Sequence, residues 1–160
     1  RIVEDAQLIR GLLEELGLTA FVKTSGGKGL HVVTPLARRH EWDVAKGFAE
    51  AVARHMARVF PDRFTATMGP KHRVGKCFID YLRNYRGATT VCAYSARARE
   101  GMAVSMPVHW EELSEVPGAD AWNVRNAVDR LTALKQDPWA DYEKAAQQQV
   151  TKAVLNRLAR

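Results

Sequence analysis

Lys23-Thr-Ser-Gly-Gly-Lys-Gly-Leu-His31 sets two hydroxyls, three glycines, two lysines and a histidine between two apolar runs. Alternation over residues 19–24 and an apolar run over 30–34, stopped by Pro35, predict two strands joined by a glycine turn, an antiparallel hairpin. Two readings of the turn stand. One is a plain hairpin connection. The other is a phosphate-handling loop, in which glycines let the backbone approach an anion and expose its N–H groups, Lys28 supplies a point charge, and Ser25 and His31 supply directional donors. His31, two residues past Gly29, is placed to point back over the loop. The stretch fits neither G-x-x-x-x-G-K-[ST] nor G-x-G-x-x-G, which argues against a P-loop or dinucleotide fold.

Working outward, Val3, Ala6, Ile9, Leu12, Leu13 and Leu16 recur at helical spacing before Gly17, predicting an amphipathic helix over residues 2–16. Trp42, Ala45, Phe48, Ala49, Val52, Ala53 and Met56 form a second helical stripe that Pro61 closes. Residues 62–75 read as a basic connector containing Arg63, Lys71, His72 and Arg73, broken by Gly69-Pro70. Strands are expected over 77–82 and 89–94, the second followed by Ser95-Ala-Arg-Ala-Arg99. Helices follow over about 122–134 and 139–158, the latter opened by Asp137-Pro138 as cap and first helical residue. Trp42, Trp110 and Trp122 are expected to fill the core or helix junctions, and His55, His72 and His109 to lie on the surface or in loops.

The order helix–strand–strand–helix–strand is that of a split β-α-β-β-α-β unit without its first strand, so the fold class expected is α+β. The chain is accordingly expected to be the C-terminal portion of one larger catalytic domain, with residues from about 140 to 160 beginning a linker. At 160 residues, 17.9 kDa and 46% hydrophobic, it can bury an ordinary core. No apolar run approaches the roughly 20 residues of a membrane span, and no signal-peptide pattern opens the chain, so a cytoplasmic location is expected. Cys77 and Cys92 lack C-x-x-C spacing and are read as small core residues, with neither a disulfide nor a zinc site. A net charge of +6 and a pI near 9.6 favour a polyanionic partner.

Asp80 is the one carboxylate of the Cys77–Leu82 stretch. An acid on an apolar strand needs a metal or a partner, and either a metal ion or an ion pair with Arg83 or Arg97 satisfies that need. One aspartate cannot build a two-metal centre, whose ions lie roughly 4 Å apart among several carboxylates.

Phe21-Val-Lys-Thr-Ser-Gly-Gly-Lys-Gly-Leu-His-Val-Val-Thr-Pro-Leu36, Cys77-Phe-Ile-Asp-Tyr-Leu-Arg-Asn84, Tyr94-Ser-Ala-Arg-Ala-Arg99 and Asp137-Pro-Trp139 together resemble the polymerase domain of bacterial ligase D, in the archaeo-eukaryotic primase superfamily. The resemblance covers the chain to about residue 140. It implies an RRM-like primase-polymerase fold and metal-dependent, template-directed addition of NTP or dNTP at DNA double-strand breaks in non-homologous end joining, within a multifunctional ATP-dependent DNA ligase. It implies Mn2+ or Mg2+ as cofactor, and as partners DNA ends, a Ku-like end-binding protein and covalently linked ligase or nuclease domains, with a nucleoid-associated location. Ser25, Lys28 and His31 match the second motif and would hold the triphosphate. Asp80 matches the third-motif metal ligand and the catalytic carboxylate, while Arg83 and Arg97 match phosphate-contacting positions. The first motif, a strand carrying Asp-x-Asp, has no counterpart in residues 1–160, and Asp5, within the first helix, does not replace it. Residues 1–160 alone are therefore expected to lack polymerase activity. The alternative is a non-catalytic DNA-binding module of the same fold.

Overall fold

The computed structural model describes residues 1–160. In chain order the elements are α1 (Ile2–Glu15), β1 (Phe21–Thr24), β2 (Leu30–Val33), α2 (Trp42–Val59), β3 (Phe64–Thr65), β4 (Cys77–Phe78), β5 (Pro107–Val108), α3 (Ala127–Ala133), α4 (Tyr142–Ala145) and α5 (Lys152–Leu158), with short 3-10 turns at Pro70–His72 and Trp110–Glu115. The architecture is α+β, a small antiparallel sheet with helices. The chain divides into two compact units, residues 1–35 with 91–147, and residues 36–90 with 148–160.

In the first unit the sheet order is β2-β1-β5, antiparallel throughout. The predicted hairpin is present, and its register sets Lys23 directly opposite His31. As the middle strand, β1 has every residue buried. α1 packs beside β2 with Ala6 and Leu13 buried, and Gly17 ends it by taking a φ of +79°, a conformation open to glycine without a steric penalty. Two indoles anchor the strand from outside it: Trp110 Nε1 donates to Ala20 O at 2.9 Å, and Trp139 Nε1 to Val22 O at 3.0 Å. Trp139 also stacks on Tyr142, with ring centroids 5.2 Å apart, and both rings meet Phe21. Arg130 clamps the Glu112 carboxylate with two guanidinium nitrogens and lies over the Trp122 ring.

The second unit is organised by α2, whose Phe48, Val52, Ala53 and Met56 are buried. β3 and β4 form a parallel pair, with Phe64 opposite Cys77 and Thr65 opposite Phe78. α5, in the stretch expected to begin a linker, is capped by Thr151 Oγ1, which accepts from Val154 N–H at 3.2 Å. It packs on α2 with Val154 and Leu158 buried.

Several elements differ from expectation, each for a local reason. The strand expected over 77–82 is two residues long and pairs with β3, inside the stretch read as a basic connector; after Ile79, whose N–H still donates to Thr65 O at 3.0 Å, the chain enters a turn organised by Asp80. No strand forms over 89–94, where Tyr94 takes a φ of +67° that ends any extended run. The third strand of the main sheet is instead β5, two residues that begin with a proline and so escape an alternation test. The helix expected over 122–134 starts at Ala127, and that over 139–158 splits into α4 and α5. The split follows from the backbone: Gln148 O accepts from Ala37 N–H and Val150 N–H donates to His40 Nε2, so neither serves a helical ladder. Trp110 is buried as expected, whereas Trp42, in the first turn of α2, is 55% exposed. Cys92 is exposed rather than a core residue. No helix is long and apolar enough to cross a membrane.

Candidate functional site

Ser25 is buried at the end of β1, and its hydroxyl organises the glycine loop. Its Oγ accepts from Gly27 N–H and Gly29 N–H, both at 3.0 Å, while its own N–H donates to Gly29 O at 3.0 Å. Gly26 N–H is taken by Ala119 O at 2.9 Å. These three amides are therefore used within the protein, and the positive charge beside the loop is that of its cationic side chains. Arg97 supplies part of it. Residues 94–97 run antiparallel to 103–105, through the Ala96–Val104 bridge and the Arg97 N–H to Ala103 O bond of 2.9 Å, and this irregular hairpin lays Arg97 across the glycines. Its Nη1 reaches Ser25 O at 3.4 Å.

The glycines at 26 and 27 are required by that closeness. A Cβ on Gly26, whose φ is +71°, would lie 3.1 Å from Arg97 Cδ and 3.2 Å from Ala103 O; one on Gly27 would lie 2.9 Å from Arg97 Nη1 and 3.1 Å from Arg99 Nη1. Two guanidiniums thus cover the bare face of the loop, with Lys28 exposed on the same loop. Three cations around a glycine surface can neutralise a multiply charged, oxygen-rich anion, and the planar guanidiniums can do so bidentately.

Beside the loop, Lys23 is buried with its Nζ 3.0 Å from His31 Nδ1, 2.8 Å from Val91 O and 2.6 Å from Ser105 Oγ. Burial lowers the Lys23 ammonium to about 8, with Arg97 adding to the fall and Cys92 opposing it. Tyr94, at the start of the arginine segment, hydrogen-bonds Asp137; burial first, and then that carboxylate, push its phenol upward.

Asp80 and Arg83 belong to the second unit. Asp80 is exposed, and its Oδ1 accepts from Leu82 N–H at 3.0 Å. Arg83 Nη1 donates to Thr89 O at 3.0 Å. The ion pair between Asp80 and Arg83 considered from the sequence is not made, and Asp80, being exposed, needs no partner to satisfy it. As a hard oxygen donor Asp80 suits one position around Mn2+ or Mg2+. No group of three His, Cys, Asp or Glu residues in the chain is arranged to hold a metal ion, so these residues do not form a metal centre of their own.

The structure brings Ser25, Lys28, His31 and Arg97 onto or beside one loop of the first unit, and Asp80 and Arg83 onto one turn of the second. Sequence reasoning missed Lys23, Ser105 and Arg99 as parts of the site. A lysine inside the apolar run Phe21-Val-Lys-Thr24 is the signal by which the first can be found.

A family model described as the LigD primase-polymerase domain matches residues 1–139. The chain belongs to that family. It is 55% identical over 161 aligned residues to the multifunctional non-homologous end joining protein LigD of Pseudomonas aeruginosa, covering all of this chain and 19% of that protein. To the bifunctional non-homologous end joining protein LigD of Bacillus subtilis it is 29% identical, covering 98% of this chain and 26% of that protein. The chain thus spans a fifth to a quarter of the length of these LigD relatives. Among solved structures, the polymerase domain of Mycobacterium tuberculosis ligase D in complex with DNA superposes with a TM-score of 0.66 at 34% identity, over 99% of this chain and 45% of that one.

Proposed function

We propose that this chain is the nucleotide-gripping part of a DNA-end-joining polymerase domain, which adds NTP or dNTP to DNA ends in a template-directed, divalent-metal-dependent reaction. The observation that carries the reading is the glycine loop covered by Arg97 and Arg99, with Lys28 beside them. A triphosphate is a flexible polyanion whose charge spreads further in the transition state, and fixed cations stabilise that charge. In this reading Lys28, His31, Arg83 and Arg97 contact phosphate oxygens, Ser25 holds the loop in shape, and Asp80 is the catalytic carboxylate and one ligand of Mn2+ or Mg2+. DNA ends, a Ku-like end-binding protein and covalently linked ligase or nuclease domains are its partners, on the cytoplasmic nucleoid.

Titration of nucleotide in a primer-extension assay, in a full-length LigD protein carrying this chain, tests the reading. Lys28→Ala is expected to raise KM about tenfold, roughly 1.4 kcal/mol and the low end for a charged contact because Lys28 is exposed, while leaving DNA affinity within about twofold. Equal losses of DNA and nucleotide affinity would favour a second reading, in which the fold grips DNA phosphates without catalysing. That reading draws on the net charge of +6, which suits a DNA backbone whether or not chemistry follows. Both expect residues 1–160 alone to bind DNA with affinity that falls steeply as salt rises, the charge being +6, and to extend no primer.

A further inference from the structure

Lys23 is 5% exposed, stands on the middle strand of the sheet, and touches three acceptors. An ammonium has three N–H donors and no acceptor. One goes to Val91 O at 2.8 Å and one to Ser105 Oγ at 2.6 Å. Ser105 donates its own hydroxyl proton to Thr24 O at 2.7 Å, so toward Lys23 it can only accept. The third goes to His31 Nδ1 at 3.0 Å. With every donor used, Lys23 has nothing left for a phosphate, and its influence passes through His31. A nitrogen that accepts from an ammonium cannot carry a proton, which places the imidazole proton on Nε2. Register supports the same pairing, because Lys23 and His31 are direct cross-strand partners and their side chains leave the sheet on one face.

We propose that Lys23 is a positioning residue that holds His31 in the Nε2–H tautomer and in one ring orientation, so that the histidine presents a single, fixed N–H donor. That this donor meets a nucleotide phosphate rests on the function proposed above; the tautomer and its cause do not. Preorganising a donor on a rigid strand spares the ligand the ordering that a mobile side chain would require.

The tautomer is read directly by nitrogen NMR of the 15N-histidine-labelled full chain, with His31 assigned by its loss in His31→Gln. The wild type is expected to show His31 with the widely separated nitrogen resonances of the pure Nε2–H form; an Nδ1–H form or an averaged pair overturns the proposal without any variant. Lys23→Met, which keeps the stem and removes the donors, is expected to yield an averaged pair, and Lys23→Arg, which keeps a donor, the wild-type pattern. An unchanged His31 spectrum in Lys23→Met also overturns it. Should Lys23→Met fail to fold, the wild-type and Lys23→Arg spectra still decide. Binding of ATP then joins the two residues: His31→Ala and Lys23→Met are each expected to weaken it about tenfold, and the double variant no further than His31→Ala alone. Additive losses would show that Lys23 acts independently of His31. A wild-type chain that binds no ATP removes the nucleotide reading and leaves the NMR result to judge the positioning role.

Discussion

The loop at Ser25 and the turn at Asp80 are held in opposite ways. Around Ser25 the hydrogen bonds are buried or half-buried, and beside the local ones that close the loop several reach far along the chain: Arg97 to Ser25 O, Gly26 N–H to Ala119 O, and Ser105 between Lys23 and Thr24. Around Asp80 they are short-range and exposed, from Leu82 N–H to Asp80 and from Arg83 to Thr89 O. Polar groups buried with partners rigidify a site and cost stability when one is removed, whereas an exposed side chain can be altered with little effect on folding. The first region is built to keep its shape and the second to offer an accessible oxygen, so substitutions should separate stability from activity in opposite directions.

The largest expected contrast comes from Asp80→Ala. In a full-length LigD protein carrying this chain, extension should fall at least about a hundredfold, roughly 3 kcal/mol of barrier, while the unfolding free energy changes by no more than about 0.5 kcal/mol. Loss of DNA affinity as large as the loss of extension would count against the metal role.

A pH series sharpens the buried side of the comparison. Lys23 lies near 8 when folded against about 10.5 when unfolded. Below pH 8 both states carry the proton and the folded state bears the whole cost of burying it. Between pH 8 and 10.5 the unfolded state binds more protons, so the Lys23 contribution raises stability with pH, by up to about 3 kcal/mol in all. Urea unfolding of wild type against Lys23→Met from pH 7 to 10.5 isolates this slope; parallel curves would mean that the lysine is not buried as a cation.

Ser25→Ala should follow at about 2 kcal/mol of lost stability, because the Gly27 and Gly29 amides lose their shared acceptor. Calorimetry of the variant would break the contrast if it melted like the wild type.

The two glycines give the smallest and finest test. Gly26→Ala meets a positive φ and the Ala103 carbonyl and should cost about 1 kcal/mol. Gly27→Ala displaces only the mobile ends of Arg97 and Arg99, so it should weaken nucleotide binding with a smaller change in stability than Gly26→Ala. The reverse ranking would refute the placement of the arginines.

How far the fold and the site are legible in the residues alone varies along the chain. The hairpin and both long helices are, because Phe21–Thr24, the glycine turn and the stripe from Phe48 to Met56 carry strong local periodicity. β5 is not: two residues starting with proline hold no period, and their strand character comes from pairing with Val22 and Lys23. The single helix expected over 139–158 is interrupted at Gln148 and Val150 because their backbone groups bond to Ala37 N–H and the His40 imidazole, more than a hundred positions away and beyond the reach of any local pattern. For the site, composition marks Ser25, Lys28 and His31, yet Ser25 proves to be a receiver of amide bonds, and the importance of Lys23 lies in a cross-strand partner. Asp80 is expected on an apolar strand and stands exposed in a turn, since strand length depends on the partner strand and β3 offers only two residues.

The pairing of β1 with β5 also sets the order in which the molecule can be completed. Lys23 and its partner Pro107 are separated by 84 positions, 107 minus 23, and the second unit's residues 36–90 lie between them. At the ribosome, adding about 5–20 residues each second, β1 waits roughly 4–17 s for its second neighbour. During that wait an apolar strand keeps one edge unpaired, which invites pairing with another nascent chain. Closing so long a loop is entropically slow compared with zipping the hairpin. The glycine loop, whose arginine cover arrives with residues 97 and 99, is therefore completed well after its own hairpin has closed.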